Sequence, residues 1–115
     1  EIARCGATHV AELKDGMIEE YAVDPEAFGM KLVSVETLTA HNVAEAKAKL
    51  LAVLDNEHGA ARDIVALNAG AAIYVGGVAH TLEAGVKKAL HVITSGEARA
   101  KLAQLIEFSN RFTHV

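Results

Sequence analysis

Cysteine is nearly absent: Cys5 is the only one in 115 residues. An internal disulfide is therefore excluded, and the chain fits a reducing compartment, so a cytoplasmic location is expected. Positive charge is also scarce. Eleven Lys and Arg stand against 15 Asp and Glu, for a net charge of −4. No basic stripe is available to neutralise phosphates, which argues against nucleic acid as a partner. No apolar run approaches the ~18 residues of a membrane span, and no basic-then-apolar leader is present, so no membrane partner is expected. Proline occurs once, at Pro25. The first residue is Glu1 rather than methionine, and the chain is expected to be one piece of a longer protein.

What is abundant is apolar: 51% of the residues, of which 22 are alanine. Leu, Ile, Val and Phe together supply 32 more. That is too apolar for disorder, yet many of these positions each bury little area.

A β-hairpin is predicted over residues 7–23, turning at Asp15-Gly16. A type I′ turn needs positive φ at both central residues, which this pair tolerates. Pro25 has no N–H for a ladder and should end the second strand; Pro25 to Gly29 reads as one helical turn. Residues 30–40 show no period. From Asn42 the period is helical, with Val43, Ala46, Leu50, Leu51 and Leu54 expected to face inward. Asn42 and Glu45 resemble a capping box. A second helix, 60–75, has no charged residue from Ile64 to Val75. A helix apolar all round must be buried all round, and one hairpin with three alanine-rich helices is too little to wrap it. A third helix, 81–94, should bury Leu82, Val86, Ala89, Leu90 and Ile93. A fourth, 97–111, should bury Ala98, Leu102, Leu105 and Ile106, with the last few residues frayed. The hairpin unit is thus 6–23 and the helical part 42–112.

Chemistry of its own is thin. His9, His41, His58, His80, His91 and His114 form no His-Glu-x-x-His pattern, and Cys5 with His9 lacks a second ligand pair at zinc spacing; they read as surface or loop residues. No Gly-x-Ser-x-Gly elbow supports nucleophilic catalysis. Gly76-Gly77 follows a helix rather than a strand, and no Gly-x-Gly-x-x-Gly is present, so a phosphate loop is unsupported. Glu19, Glu20, Asp24 and Glu26 are candidates for a cation, with solvated edge charges as the simpler reading. Gly70 and Gly85 lie inside helices, at about 1 kcal/mol each relative to alanine; close approach of a neighbouring element would offset that. Asn68, polar in an apolar helix, must be hydrogen-bonded if buried. A loop backbone is the expected partner, and a ligand the alternative.

In order along the chain stand Gly6-x-Thr8-x-Val10-x-Glu12-Leu13-x-Asp15-Gly16, Pro25-Glu26-x-Phe28-Gly29, the run from Asp63 to Tyr74 (Asp-Ile-Val-Ala-Leu-Asn-Ala-Gly-Ala-Ala-Ile-Tyr), Glu83-x-Gly85-Val86 and Ser95-Gly96-x-Ala98. This series resembles the anthranilate phosphoribosyltransferase family over nearly all 115 residues. The resemblance implies the C-terminal portion, residues 1–115, of a large α/β domain of the nucleoside phosphorylase/phosphoribosyltransferase-like fold. It would not be a complete domain by itself. It also implies transfer of phosphoribose from phosphoribosyl pyrophosphate to anthranilate in tryptophan synthesis, with magnesium. The hairpin would join a sheet edge, and the complete enzyme would be a homodimer. The family's glycine-rich phosphate loop, Lys-His-Gly-Asn segment and anthranilate contacts have no counterpart here, so no catalytic or substrate-binding residue is carried over. Glu1 aligns with the glutamate of the family's Asp-Glu magnesium pair and is the one metal ligand the resemblance implies. The missing N-terminal portion would be its partner. The alternatives are a same-fold nucleoside phosphorylase, a nucleic-acid-binding relative, or a non-catalytic structural module.

Overall fold

A computed structural model describes residues 1–112; the expected fraying at the end of the chain falls partly outside them. An antiparallel hairpin is followed by four helices, an α/β arrangement. Strands β1 (Thr8–Lys14) and β2 (Met17–Val23) pair from Thr8 with Val23 to Lys14 with Met17. The two residues between them take φ of 51° at Asp15 and 76° at Gly16, the left-handed pair that a type I′ turn requires. Pro25–Phe28 forms a single 3-10 turn. Asp24 accepts from the Glu26 N–H at 2.9 Å at its start, and Gly29 closes it at φ 74°. The stretch without a period holds a second short turn, Val35–Leu38.

The helices are α1 (Val43–Leu54), α2 (Ala60–Val75), α3 (Leu82–Thr94) and α4 (Glu97–Asn110). Asn42 caps α1 by accepting from the Glu45 N–H at 2.8 Å. The reciprocal arm differs from the capping box: Glu45 takes the N–H of His41 instead of that of Asn42, at 2.8 Å. Thr81 caps α3, accepting from Ala84 N–H at 3.1 Å, and Gly96, at φ 84°, lets the chain turn directly from α3 into α4.

The centre of the molecule is the α2–α3 contact. A Cβ built on Gly70 would lie 2.6 Å from the backbone of Val86, and one on Gly85 would overlap the Gly70 carbonyl oxygen. The two backbones therefore touch, which is the close approach the mid-helix glycines lead one to expect. Beside this contact, Ile2, Val23, Met30, Leu67 and Val86 form the core, with Val10, Phe28, Ala71, Leu82 and Leu90 packed against it. The inward face expected of α3 is thus found.

Two expected faces are buried only in part. On α1, Val43 is 84% and Leu50 51% exposed, and Val53 is the buried residue instead. On α4, Leu105 and Ile106 are both more than half exposed. The apolar stripes are real, but α1 lies against α2 and α4 against α3 over short contacts, so nothing among the described residues covers the rest. The side of α2 opposite α3 is open as well: Val65 is 41% and Val75 79% exposed. A radius of gyration of 15.9 Å, against about 13 Å for a compact 100-residue chain, reflects the same openness.

Candidate functional site

Residues 1–4 belong to no strand, yet four of their backbone groups are held by hydrogen bonds. Asn68, on the middle of α2, accepts from Ile2 N–H at 2.7 Å and donates to the Ile2 carbonyl at 2.9 Å. Its amide also donates to the Ile64 carbonyl one turn earlier, at 3.0 Å. The expected loop-backbone partner of Asn68 is therefore this segment, 66 residues away. Thr8 Oγ1 accepts from Ala3 N–H at 2.9 Å, and Val33 N–H donates to the Arg4 carbonyl at 3.3 Å. Ile2 is buried in the core.

Arg4, which the sequence does not single out, is the one buried charged side chain among the described residues. Only 4% exposed, it donates from Nη2 to Asp63 Oδ2 at 2.7 Å, while its Nε and Nη1 find no acceptor among the described residues. Asp63 sits in the first turn of α2, where a carboxylate also meets the helix's positive end. Fifty-nine residues separate the partners, and no local pattern announces the pair.

Glu1 leads this clamped segment. Its carboxylate is exposed and makes no hydrogen bond or ion pair among the described residues. On one side it borders an open apolar trough of about 580 Å³ between α1, α2 and α4, lined by Leu50, Val53, Ile64, Val65 and Leu102. On the other it borders a cleft of about 520 Å³ under the hairpin. Among the described residues no three His, Cys, Asp or Glu side chains gather as a metal site. A single free carboxylate fits the way magnesium is bound, by one or two carboxylates with phosphate oxygens of a substrate. It fits no all-protein cage.

The hairpin carries a second polar cluster. Glu12 accepts from the Tyr21 hydroxyl at 2.9 Å and, through its other oxygen, from the Tyr74 hydroxyl of α2. Lys14 Nζ lies 5.6 Å from the centre of the Tyr74 ring. The bond from Tyr74, then that from Tyr21, holds the Glu12 carboxyl below its ordinary 4.5. Burial and the bond to Glu12 push Tyr21 up to about 12; the bond to Glu12 raises Tyr74 as well. Once the turn sets the register, Tyr21 and Glu12 are diagonal neighbours, so that half of the cluster is readable from sequence. Tyr74, 62 residues on, is not. The cluster ties the hairpin to α2. Glu12→Gln should therefore loosen the hairpin between the two titrations. The depressed Glu12 stabilises above 4.5 and loses that effect as pH falls through its lower folded value. The raised Tyr21 stabilises fully below 10 and loses its effect as pH rises towards about 12. Hydrogen exchange of the β1 amides of parent and variant should differ at pH 7, and the difference should shrink as pH falls below 4.5; equal exchange at pH 7 would count against this.

The remaining candidates stay apart. Cys5 is exposed, as are His9, His41, His58, His80 and His91, and Glu19, Glu20 and Glu26; Asp24 is occupied as a cap. His114 lies outside the described residues.

Comparison with known proteins gives a consistent result. The profile of the glycosyl transferase family, a/b domain, matches residues 1–99. The anthranilate phosphoribosyltransferase of Nitrosospira multiformis is 54% identical over 111 residues, covering 96% of this chain and 32% of that protein. That of Laribacter hongkongensis gives the same identity and coverage. The chain thus spans about a third of the length of the curated relatives it matches. The crystal structure of anthranilate phosphoribosyltransferase from Thermus thermophilus superposes with a TM-score of 0.79 at 34% identity, over 90% of this chain and 31% of that one.

Proposed function

The chain belongs to the glycosyl transferase family through its a/b domain, and from that premise we propose that it is the C-terminal portion of an anthranilate phosphoribosyltransferase. The complete protein would transfer phosphoribose from phosphoribosyl pyrophosphate to the amine of anthranilate, releasing pyrophosphate, in tryptophan synthesis. The observation that carries this reading is identity of 54% to enzymes of that name along 96% of the chain.

In that enzyme Glu1 would be the residue of this chain that holds magnesium, whose charge would offset that of pyrophosphate. The rest of the chain builds the platform. The apolar trough between α1, α2 and α4 takes up the strands of the remaining domain, covering Leu50, Val65 and Leu102. Residues 1–115 are in this reading an incomplete unit whose first partner is the preceding portion of the same protein. The complete enzyme is cytoplasmic and homodimeric. The net charge of −4 speaks against the nucleic-acid-binding relative.

The test uses the complete protein carrying this segment. Anthranilate fluorescence should fall only when phosphoribosyl pyrophosphate and Mg²⁺ are both present, and Glu1→Gln should raise the Mg²⁺ needed for half-maximal rate roughly 10-fold or more. Turnover of a nucleoside with phosphate, and none of anthranilate, would overturn the assignment.

A further inference from the structure

We infer that Asn68, aided by Thr8, is a positioning residue that holds Glu1 where it meets a divalent cation; this rests on the metal role proposed for Glu1. Three observations carry it. First, the Asn68 amide satisfies both polar backbone groups of Ile2, at 2.7 Å and 2.9 Å, as a neighbouring strand would, in a segment that has no strand beside it among the described residues. Second, the amide is itself locked. Its bond to the Ile64 carbonyl at 3.0 Å leaves one orientation in which all three contacts are made, because only Nδ2 can donate and only Oδ1 can accept. Third, the residue next to Glu1 is fixed while Glu1 itself is accessible: Ile2 is buried in the core and Glu1 is exposed.

Without the Asn68 amide, both polar backbone groups of the buried Ile2 would lack a partner among the described residues. What the amide adds is a fixed backbone immediately beside Glu1. Thr8 extends the restraint by taking Ala3 N–H at 2.9 Å. A metal ligand on a fixed backbone loses little freedom on binding, whereas one on a loose segment must be ordered at that moment. Groups that orient a ligand in this way typically change metal affinity 10–100-fold when removed.

The experiment measures Mn²⁺ binding to the complete enzyme by electron paramagnetic resonance of the free ion, with pyrophosphate present, well below the melting transition. The variants are Glu1→Gln, Asn68→Ala, Asn68→Asp and Thr8→Val. We expect Glu1→Gln and Asn68→Ala each to weaken Mn²⁺ binding roughly 10-fold or more. Asn68→Asp, which keeps the acceptor for Ile2 N–H but loses both donated bonds, should also weaken it, and Thr8→Val should do so to a smaller extent. Excess Mg²⁺ should restore the rate of Asn68→Ala, which it would not do for a fault of folding alone. If Glu1→Gln weakens binding and a folded Asn68→Ala does not, the positioning role is wrong and the metal role stands. If Glu1→Gln leaves binding unchanged, the metal role fails and the positioning role with it. Should Asn68→Ala not fold, Thr8→Val decides in the same way: unchanged Mn²⁺ affinity overturns the inference.

Discussion

Gly85→Ala should destabilise the protein by about 3 kcal/mol or more, the upper range for overpacking. The added methyl carbon would overlap the Gly70 carbonyl oxygen and sit 3.1 Å from its carbon. Both atoms are backbone, so no side chain can rotate away, and α2 and α3 must move apart. That movement opens the packing around Leu67 and Val86, both in the core. Alanine's better helix propensity returns only about 1 kcal/mol, so the clash wins. Gly70→Ala should behave alike, its methyl 2.6 Å from Val86 Cα and N. The two sites touch, so the double variant should fall short of the sum of the singles, since helices already parted for one methyl have room for the other. Gly6→Ala, with nothing within 4 Å of its Cβ, is the control and should be near neutral. Urea unfolding midpoints decide it: a Gly85→Ala protein as stable as Gly6→Ala would mean that the helices do not meet as described.

Removing the Asp63 carboxylate should be as damaging, by a different route. Asp63→Ala leaves the Arg4 guanidinium 4% exposed, with its one side-chain acceptor gone and two of its nitrogens already unpartnered among the described residues. Breaking one side of a buried pair typically costs about 3–5 kcal/mol because the remaining charge is stranded. By contrast the pairs Arg111–Glu107 and Arg99–Asp55 lie on the surface, the latter at 3.6 Å. Such pairs contribute about 0–1 kcal/mol, and Glu107→Ala should be almost silent in the same assay. Replacing both partners, as Arg4→Met with Asp63→Leu, should recover most of the loss, since a packed apolar pair needs no partner. If Asp63→Ala and the double variant unfold at the same denaturant concentration, burial of the guanidinium is not the reason for the loss.

Much of this architecture is legible locally. Asp15-Gly16 set the turn and with it the register of seven residue pairs, since few dipeptides accept positive φ twice in succession. Asn42 and Thr81 cap their helices because a short side-chain oxygen can reach an N–H three residues on. Gly70 and Gly85 were unfavourable in their helices unless something came close, and each is what the other's helix comes close to. Asn68 could be read as needing a partner, though not which one. The Arg4–Asp63 pair and the Tyr74 arm of the hairpin cluster were hidden because charge and hydroxyl groups 59 and 62 residues apart leave no periodic trace.

Amphipathic periodicity correctly placed α1 and α4 as helices and misplaced their burial. A stripe of Val43, Leu50, Leu105 and Ile106 states which face would prefer to leave water. Whether it does depends on a neighbour of matching shape, which the described residues do not supply. Sequence alone thus determined the hairpin, the four helices and the need of Asn68 for a partner, because φ/ψ preference, capping and side-chain period act over a few residues. Tertiary structure alone decided that Ile2 lies across Asn68, that Arg4 is buried on Asp63, and that one side of α2 stays open. Those outcomes depend on which distant surfaces meet, and the energy of that meeting appears only when the chain is folded.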